Sequence, residues 1–409
     1  MADQQLIPHL FRTEYRKIVA VLCKYFGLGG MENAEDIASE TFLTATQTWG
    51  LHGIPSNPTA WLYGVAKNKA KNHLQRHTLF RDKIAPALKG DESMEQDLDL
   101  SPQNIIDSQL QMMFAICHPS ISPEAQIGLS LRILCGFGIE EIADAFLTNK
   151  ETINKRLFRA KEQLRTSGIK IGVPGPPEIE ERLSPVLTTI YLLFNEGYYS
   201  ISRDQPLRKD LCLEAIRLCT MLVENAATNQ PQVNALLALM CFHASRFDAR
   251  TDRNGGIILY EEQDPSLWNV DFISKGGYFL QCSATGNKLS RYHLEAGIAY
   301  WSTQRADIPE KWENILQFYN RLLQMEYSPI AALNRTYALS KVNGKAAAIV
   351  EAEKLELTDN HFYFALLGEL YTSIDDEKAR LHLQKAYSLA KTPADRQAIQ
   401  KKMDRHATL

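Results

Sequence analysis

Six cations crowd the stretch from Lys150 to Arg165: Lys150, Lys155, Arg156, Arg159, Lys161 and Arg165 stand against only Glu151 and Glu162. Ammonium and guanidinium groups at this density neutralise phosphates. On a helix that also carries Thr148 and Thr152 they can reach base edges as well. A second group, Lys67, Lys69, Lys71, Arg76, Arg81 and Lys83, follows Trp61 and Tyr63. That mixture suits phosphate contact combined with stacking on unpaired bases. Groups that would carry catalysis are scattered. His73 and His77 have the four-residue spacing of a helical zinc pair, but no third ligand or assisting glutamate is near them in sequence. Cys212 and Cys219 can share a helix face and read as buried structural thiols. Glu196 in FNEGYYS has neither a second carboxylate nor a histidine at motif spacing, so a hydrogen-bonding role at a helix end or a domain contact is expected. No GxxxxGK[ST], GxGxxG or GxSxG stretch occurs. The chain is expected to catalyse nothing, to hold no metal and to need no cofactor.

Helices have to position these side chains. In GIEEIADAFLTNKETINKRLFRAKEQLR, Ile153, Leu157, Ala160 and Leu164 form one stripe, which with Ile139, Ile142 and Phe146 of a preceding helix makes a small core. Thr148, Lys150, Glu151, Thr152, Lys155 and Arg159 then face outward, Thr148 or Asn149 can cap the second helix, and the short turn has helix-turn-helix length. In that arrangement the N-terminal half of the second helix enters a major groove and cations farther along meet phosphates. For the other basic group, Asn57 and Pro58 predict a helix start, running through WLYGVAKNKAKNHLQRH. Upstream, Leu10, Tyr15, Ile18, Val19, Leu22 and Phe26, then Ile37, Phe42 and Leu43, recur at helical steps.

The 409 residues, 45% hydrophobic, suffice for two or three domains with real cores, and the formal charge of −3 confines nucleic-acid contact to local patches. Seven cysteines without a CxxC pair fit a reducing compartment. The start of the chain lacks an apolar signal core, and a cytoplasmic protein without membrane contact is expected. An acidic stretch with Asp91, Glu92, Glu95, Asp97 and Asp99 reads as a flexible linker, and TSGIKIGVPGPPEIEE breaks the helical pattern again. Beyond it the pattern is helical apart from an excursion at RNGGIILYEEQDPSLWN. Leu333, Asn334 and Tyr337 recur 34 residues on as Leu367, Gly368 and Tyr371, the period of a tetratricopeptide helix pair, and Ala379, Leu383, Ala386 and Pro393 continue the second copy. The fold class is therefore all-α, with parts at 1–79, 80–102 (linker), 103–168 and 177–409.

Two segments resemble a known family. AEDIASETFLTATQTW, Ala34 to Trp49, is similar to the helix by which extracytoplasmic-function sigma factors dock on RNA polymerase core, with Asp36, Glu40 and Phe42 at matching positions, and Ser39 where the family often has glutamine. NPTAWLYGVAKNKAKNHLQRH resembles the part of sigma region 2 that melts and reads the −10 element, and the opening stretch resembles region 4, which reads the −35 element. The resemblance implies a sigma factor whose partners are RNA polymerase core and promoter DNA. It assigns −10 contact to Asn57, Trp61, Lys67, Asn68, Lys71 and Asn72, with the flipped base held near the loop Leu51 to Asn57. It assigns −35 contact to Thr148, Lys150, Glu151, Thr152, Lys155 and Arg159. TTIYLLFNEGYYS and the helical remainder are similar to the subgroup with a large C-terminal extension, often called ECF42, in which the extension is regulatory. The short GPGPP junction implies contact between that extension and the DNA modules. The alternative is a helix-turn-helix repressor or activator with a ligand-binding or dimerising C-terminal domain, expected to bind a palindromic operator without polymerase.

Overall fold

The structure is a computed structural model that describes residues 2–84, 98–146, 148–169, 171–198, 208–250, 258, 260–390 and 393–407. Among the described residues every regular element is helical, so the fold is all-α. The acidic residues Asp91, Glu92, Glu95 and Asp97 of the expected linker, the side chains of His77, Arg81 and Lys83, and residues 251–257 of the excursion lie outside the described set. Residues 1–192 and 193–409 form two compact units.

In the first unit, α1 (Ala2–Phe26), α2 (Met31–His52) and α3 (Pro58–Ile84) follow one another with short turns. The helical spacing of Tyr15, Ile18, Val19 and Leu22 puts all four in the core, where α1 meets α2. Gly53, at φ +81°, ends α2 by donating its N–H to the Trp49 carbonyl, a backbone geometry open to glycine. Asn57 Oδ1 accepts from the Ala60 N–H at 3.0 Å and starts α3 beside Pro58, as their order in the sequence predicts. The same serine-proline logic starts α4 (Pro102–Ile116) and α5 (Pro123–Leu129), where Ser101 and Ser122 cap. A π turn at Ser130–Leu134 extends α5. Helices α6 (Ile139–Ala145) and α7 (Lys150–Thr166) follow, joined by a short turn. Asn149 caps α7, its Oδ1 2.8 Å from the Thr152 N–H. Ile142, Ile153, Leu157, Ala160 and Leu164 are all buried, so the stripe is a core.

Helix α8 (Pro176–Tyr198) begins at the Gly/Pro break, and the division between the units falls inside it. Its first half is rooted in the first unit: Arg182 Nη2 donates to the Phe114 carbonyl at 2.9 Å, and the buried Thr189 hydroxyl donates to Gln126 Oε1 at 2.9 Å. The second unit continues with α9 (Lys209–Glu224), α10 (Pro231–Ala244), α11 (Val270–Ser283), α12 (Arg291–Ser302), α13 (Pro309–Met325), α14 (Pro329–Asn343), α15 (Lys345–Glu353), α16 (His361–Tyr371), α17 (Asp376–Leu389) and α18 (Pro393–Ala407). From α12 onward each helix packs on the next, so most contacts are local in sequence. Gly368 makes one such contact possible: a Cβ there would sit 2.7 Å from Leu383 Cγ. Cys212 and Cys219 are buried, their thiols donating to the Phe194 and Val233 carbonyls at 3.5 Å, and burial pushes both thiols up, away from reactivity. No helix among the described residues is long and apolar enough to cross a membrane.

Candidate nucleic-acid interface

Helix α2 carries three carboxylates in a short span, and its turn geometry sends them different ways. Asp36 and Glu40 are exposed, and Glu40 accepts from Lys69 of α3 at 3.1 Å. Glu35 points inward. Phe42 also points inward, only 4% exposed, with its ring 5.1 Å from Phe11 and 6.3 Å from Tyr15. The expectation that Phe42 touches a partner directly is corrected here: its apolar period places it in the core beneath the surface that Asp36 and Glu40 form.

Helix α3 offers Asn57, Asn68, Lys71 and Asn72 to solvent, with Lys67 and Trp61 partly exposed. The Asn57 carbonyl oxygen is committed to the helix cap, leaving its amide nitrogen outward. Trp61 stands edge-on to Trp49, ring centroids 5.3 Å apart, a fixed aromatic rim. Tyr63 serves the structure: its hydroxyl donates to Glu14 Oε2 at 2.6 Å, and burial together with that carboxylate pushes its pKa up. His73 lies edge-on to Phe26 at 5.6 Å. Leu51, in the last turn of α2 and 82% exposed, opens the stretch Leu51 to Asn57 that the resemblance assigns to the flipped base.

On α7, Thr148 is partly exposed and Lys150, Glu151, Thr152, Lys155 and Arg159 are exposed, so the residues assigned to duplex reading share one outward surface. Its charge is smaller than the sequence suggests. Lys150 pairs with Glu140, Lys155 with Glu151 at 2.6 Å, and Arg165 with Glu162 at 2.7 Å. Arg156 lies over the Phe146 ring, 5.3 Å from its centroid. Lys161 turns inward to Glu35. Arg159 makes no ion pair among the described residues. Phe158, 58% exposed beside Arg159, adds an apolar ring to this surface that its pattern of polar outward residues does not reveal.

A family model of sigma-70 region 2 matches residues 10–79, which hold α1, α2 and most of α3. The RNA polymerase sigma-H factor of Pseudomonas aeruginosa is 27% identical over 40% of this chain and 91% of its own length. The ECF RNA polymerase sigma-E factor of Salmonella typhimurium is 26% identical over 40% of this chain and 86% of its own. Sigma-70 region 2 and these relatives support an RNA polymerase sigma factor of the extracytoplasmic-function kind. An uncharacterised protein of Rhizobium meliloti, R00370, is similar to this chain along nearly its whole length, 31% identical over 99% of this chain and 96% of the relative. A family of unknown function (DUF6596) matches residues 182–284, from the part of α8 rooted in the first unit through α11. No solved structure matches this sigma factor.

Proposed function

We propose that this sigma factor binds RNA polymerase core through the Asp36 and Glu40 side of α2 and directs it to promoters. In this reading α3 and the loop before it hold the opened −10 strand, with Asn57, Trp61, Lys67, Asn68, Lys71 and Asn72, while α7 reads the −35 duplex with Thr148, Lys150, Glu151, Thr152, Lys155 and Arg159. Parts 1–79 and 103–168 carry these tasks, 80–102 links them, and 177–409 is a regulatory part with tetratricopeptide-like packing in a cytoplasmic protein. The observation that carries the reading is the sorting of one region 2 segment: carboxylates outward on α2, amides and cations outward on α3, one aromatic rim at Trp61. Asparagine amides and lysines along one helix beside a fixed indole suit a single strand whose bases have left the stack.

The test is a pull-down with purified RNA polymerase core using the full chain, a truncation after Leu192 and the Asp36→Ala/Glu40→Ala variant. The full chain or the truncation should bind and the double variant bind at least tenfold less. A difference between the first two gives the sign of the C-terminal effect. If none binds core in the presence of promoter DNA, the repressor reading takes its place.

A further inference from the structure

The two DNA modules of this sigma factor sit in one compact unit, and a buried charge cluster joins them. Glu35 of α2 is 8% exposed. Its Oε1 accepts from Arg132 Nε of the π turn at 2.6 Å, and its Oε2 accepts from Lys161 Nζ of α7. Arg132 is braced by two more contacts, donating to the Phe137 carbonyl at 3.1 Å and to the Tyr15 hydroxyl at 3.4 Å. Around this cluster α1 packs on α4, Lys24 Nζ reaches Asn104 Oδ1 at 2.9 Å, and the turn before α2 meets α7, where Gly29 faces the Arg165 stem. Glu35 is thus the residue through which α2, the helix assigned to core, holds α7, the helix assigned to the −35 duplex.

Dimensions make this contact consequential. A compact unit the size of residues 1–192 has a radius of gyration of about 16 Å and a diameter of about 40 Å. Elements about 25 base pairs apart lie roughly 85 Å apart along the duplex, at about 3.4 Å per pair. Closed, the unit spans half that distance.

We propose that Glu35, Arg132 and Lys161 form a latch that keeps the two modules closed in the free protein and that core and promoter together must open; the proposal rests on the sigma-factor reading above. A cluster of buried charges suits the task. It demands one geometry while closed, because an unpaired charge in that interior is costly, and once parted each group recovers its water. The position next to Asp36 gives core leverage, because a cationic surface that engages Asp36 and Glu40 competes for Glu35 on the same turn of α2.

Spin labels at Gln75→Cys in α3 and Asn154→Cys in α7, both exposed, with Cys282→Ser and the other cysteines buried, would report the separation by pulsed dipolar spectroscopy on the full chain. The free protein should give one short distance. Glu35→Gln, and Lys161→Gln where Glu35→Gln does not fold, should shift part of the free population to longer distances. With core and promoter DNA the whole population should lengthen about twofold. Unchanged distances in both folded single variants, or a short distance retained on core with promoter, would overturn the latch. Failure to bind core while the free variants still open would count against the sigma-factor reading alone.

Discussion

Replacing Phe42 separates a core role from a contact role. Its ring is buried between Phe11 and Tyr15, so Phe42→Ala leaves a cavity the surrounding helices fill only in part, at a cost of about 3 to 5 kcal/mol. For a unit of this size each kcal/mol moves the melting temperature by roughly 2 to 4 °C, so the transition of the N-terminal unit should fall by about 10 °C. Phe42→Leu keeps most of the volume and should cost only about 1 to 2 kcal/mol. The assay pairs thermal unfolding followed by circular dichroism with a core pull-down well below both transitions. Phe42→Leu should bind core as the wild type does, and Phe42→Ala should bind in proportion to its folded fraction, recovering on cooling. A Phe42→Leu protein with near wild-type melting that nonetheless loses core would refute the burial argument and return Phe42 to the contact surface.

On α7, Arg159 carries no internal ion pair among the described residues, whereas Lys155 is already matched by Glu151. Arg159→Ala should therefore weaken −35 duplex binding and lower the slope of log affinity against log salt by about one, Lys155→Ala should do less, and Glu151→Gln should raise non-specific affinity, all measurable by fluorescence anisotropy across a salt series. In the second unit, burial, then Arg246 and Arg250, hold His243 well below the ordinary histidine range. The folded state thus resists a proton that the unfolded chain takes up near pH 6.5, so stability is complete above that pH and declines as pH falls below it, by at most about 1.4 kcal/mol per pH unit. Melting of the C-terminal unit between pH 7.5 and 5.5 checks this, and an unchanged midpoint would contradict it.

Local signals were legible where one turn or one stripe decides the outcome. Asn57 with Pro58 and Asn149 before Lys150 set helix starts that hydrogen bonds then realise, and the four apolar residues of α7 are the core their spacing demanded. Leu43 shows the limit. It shares the apolar period of α2 with Phe42 but is 58% exposed, because the pattern marks a stripe and only tertiary packing decides how wide the covered part is. Glu35 was invisible for a stronger reason: its partners lie 97 and 126 residues away, and a glutamate between alanine and aspartate on a helix reads as solvated until α7 is brought beside it. The cations of α7 were misjudged likewise, since counting charges along one helix leaves out carboxylates on its neighbours.

A mildly acidic chain can carry two basic helices because carboxylates beside them counter part of their charge. On α7 the charge is largely countered from within, Lys150 by Glu140, Lys155 by Glu151 and Lys161 by Glu35, and on α3 Lys69 is met by Glu40. Apart from the buried Lys161–Glu35 pair, these exposed pairs contribute at most about 1 kcal/mol and are screened by salt, so phosphates at high local density displace them readily, while a lone protein in solution gains little from random contact with nucleic acid. The Lys69 pair links two surfaces. Its carboxylate belongs to the side of α2 assigned to core, and its ammonium to the helix assigned to the −10 strand. Any partner that takes Glu40 leaves Lys69 without its carboxylate and raises the positive potential of α3, a small bias that favours strand binding on the polymerase over strand binding by the free chain.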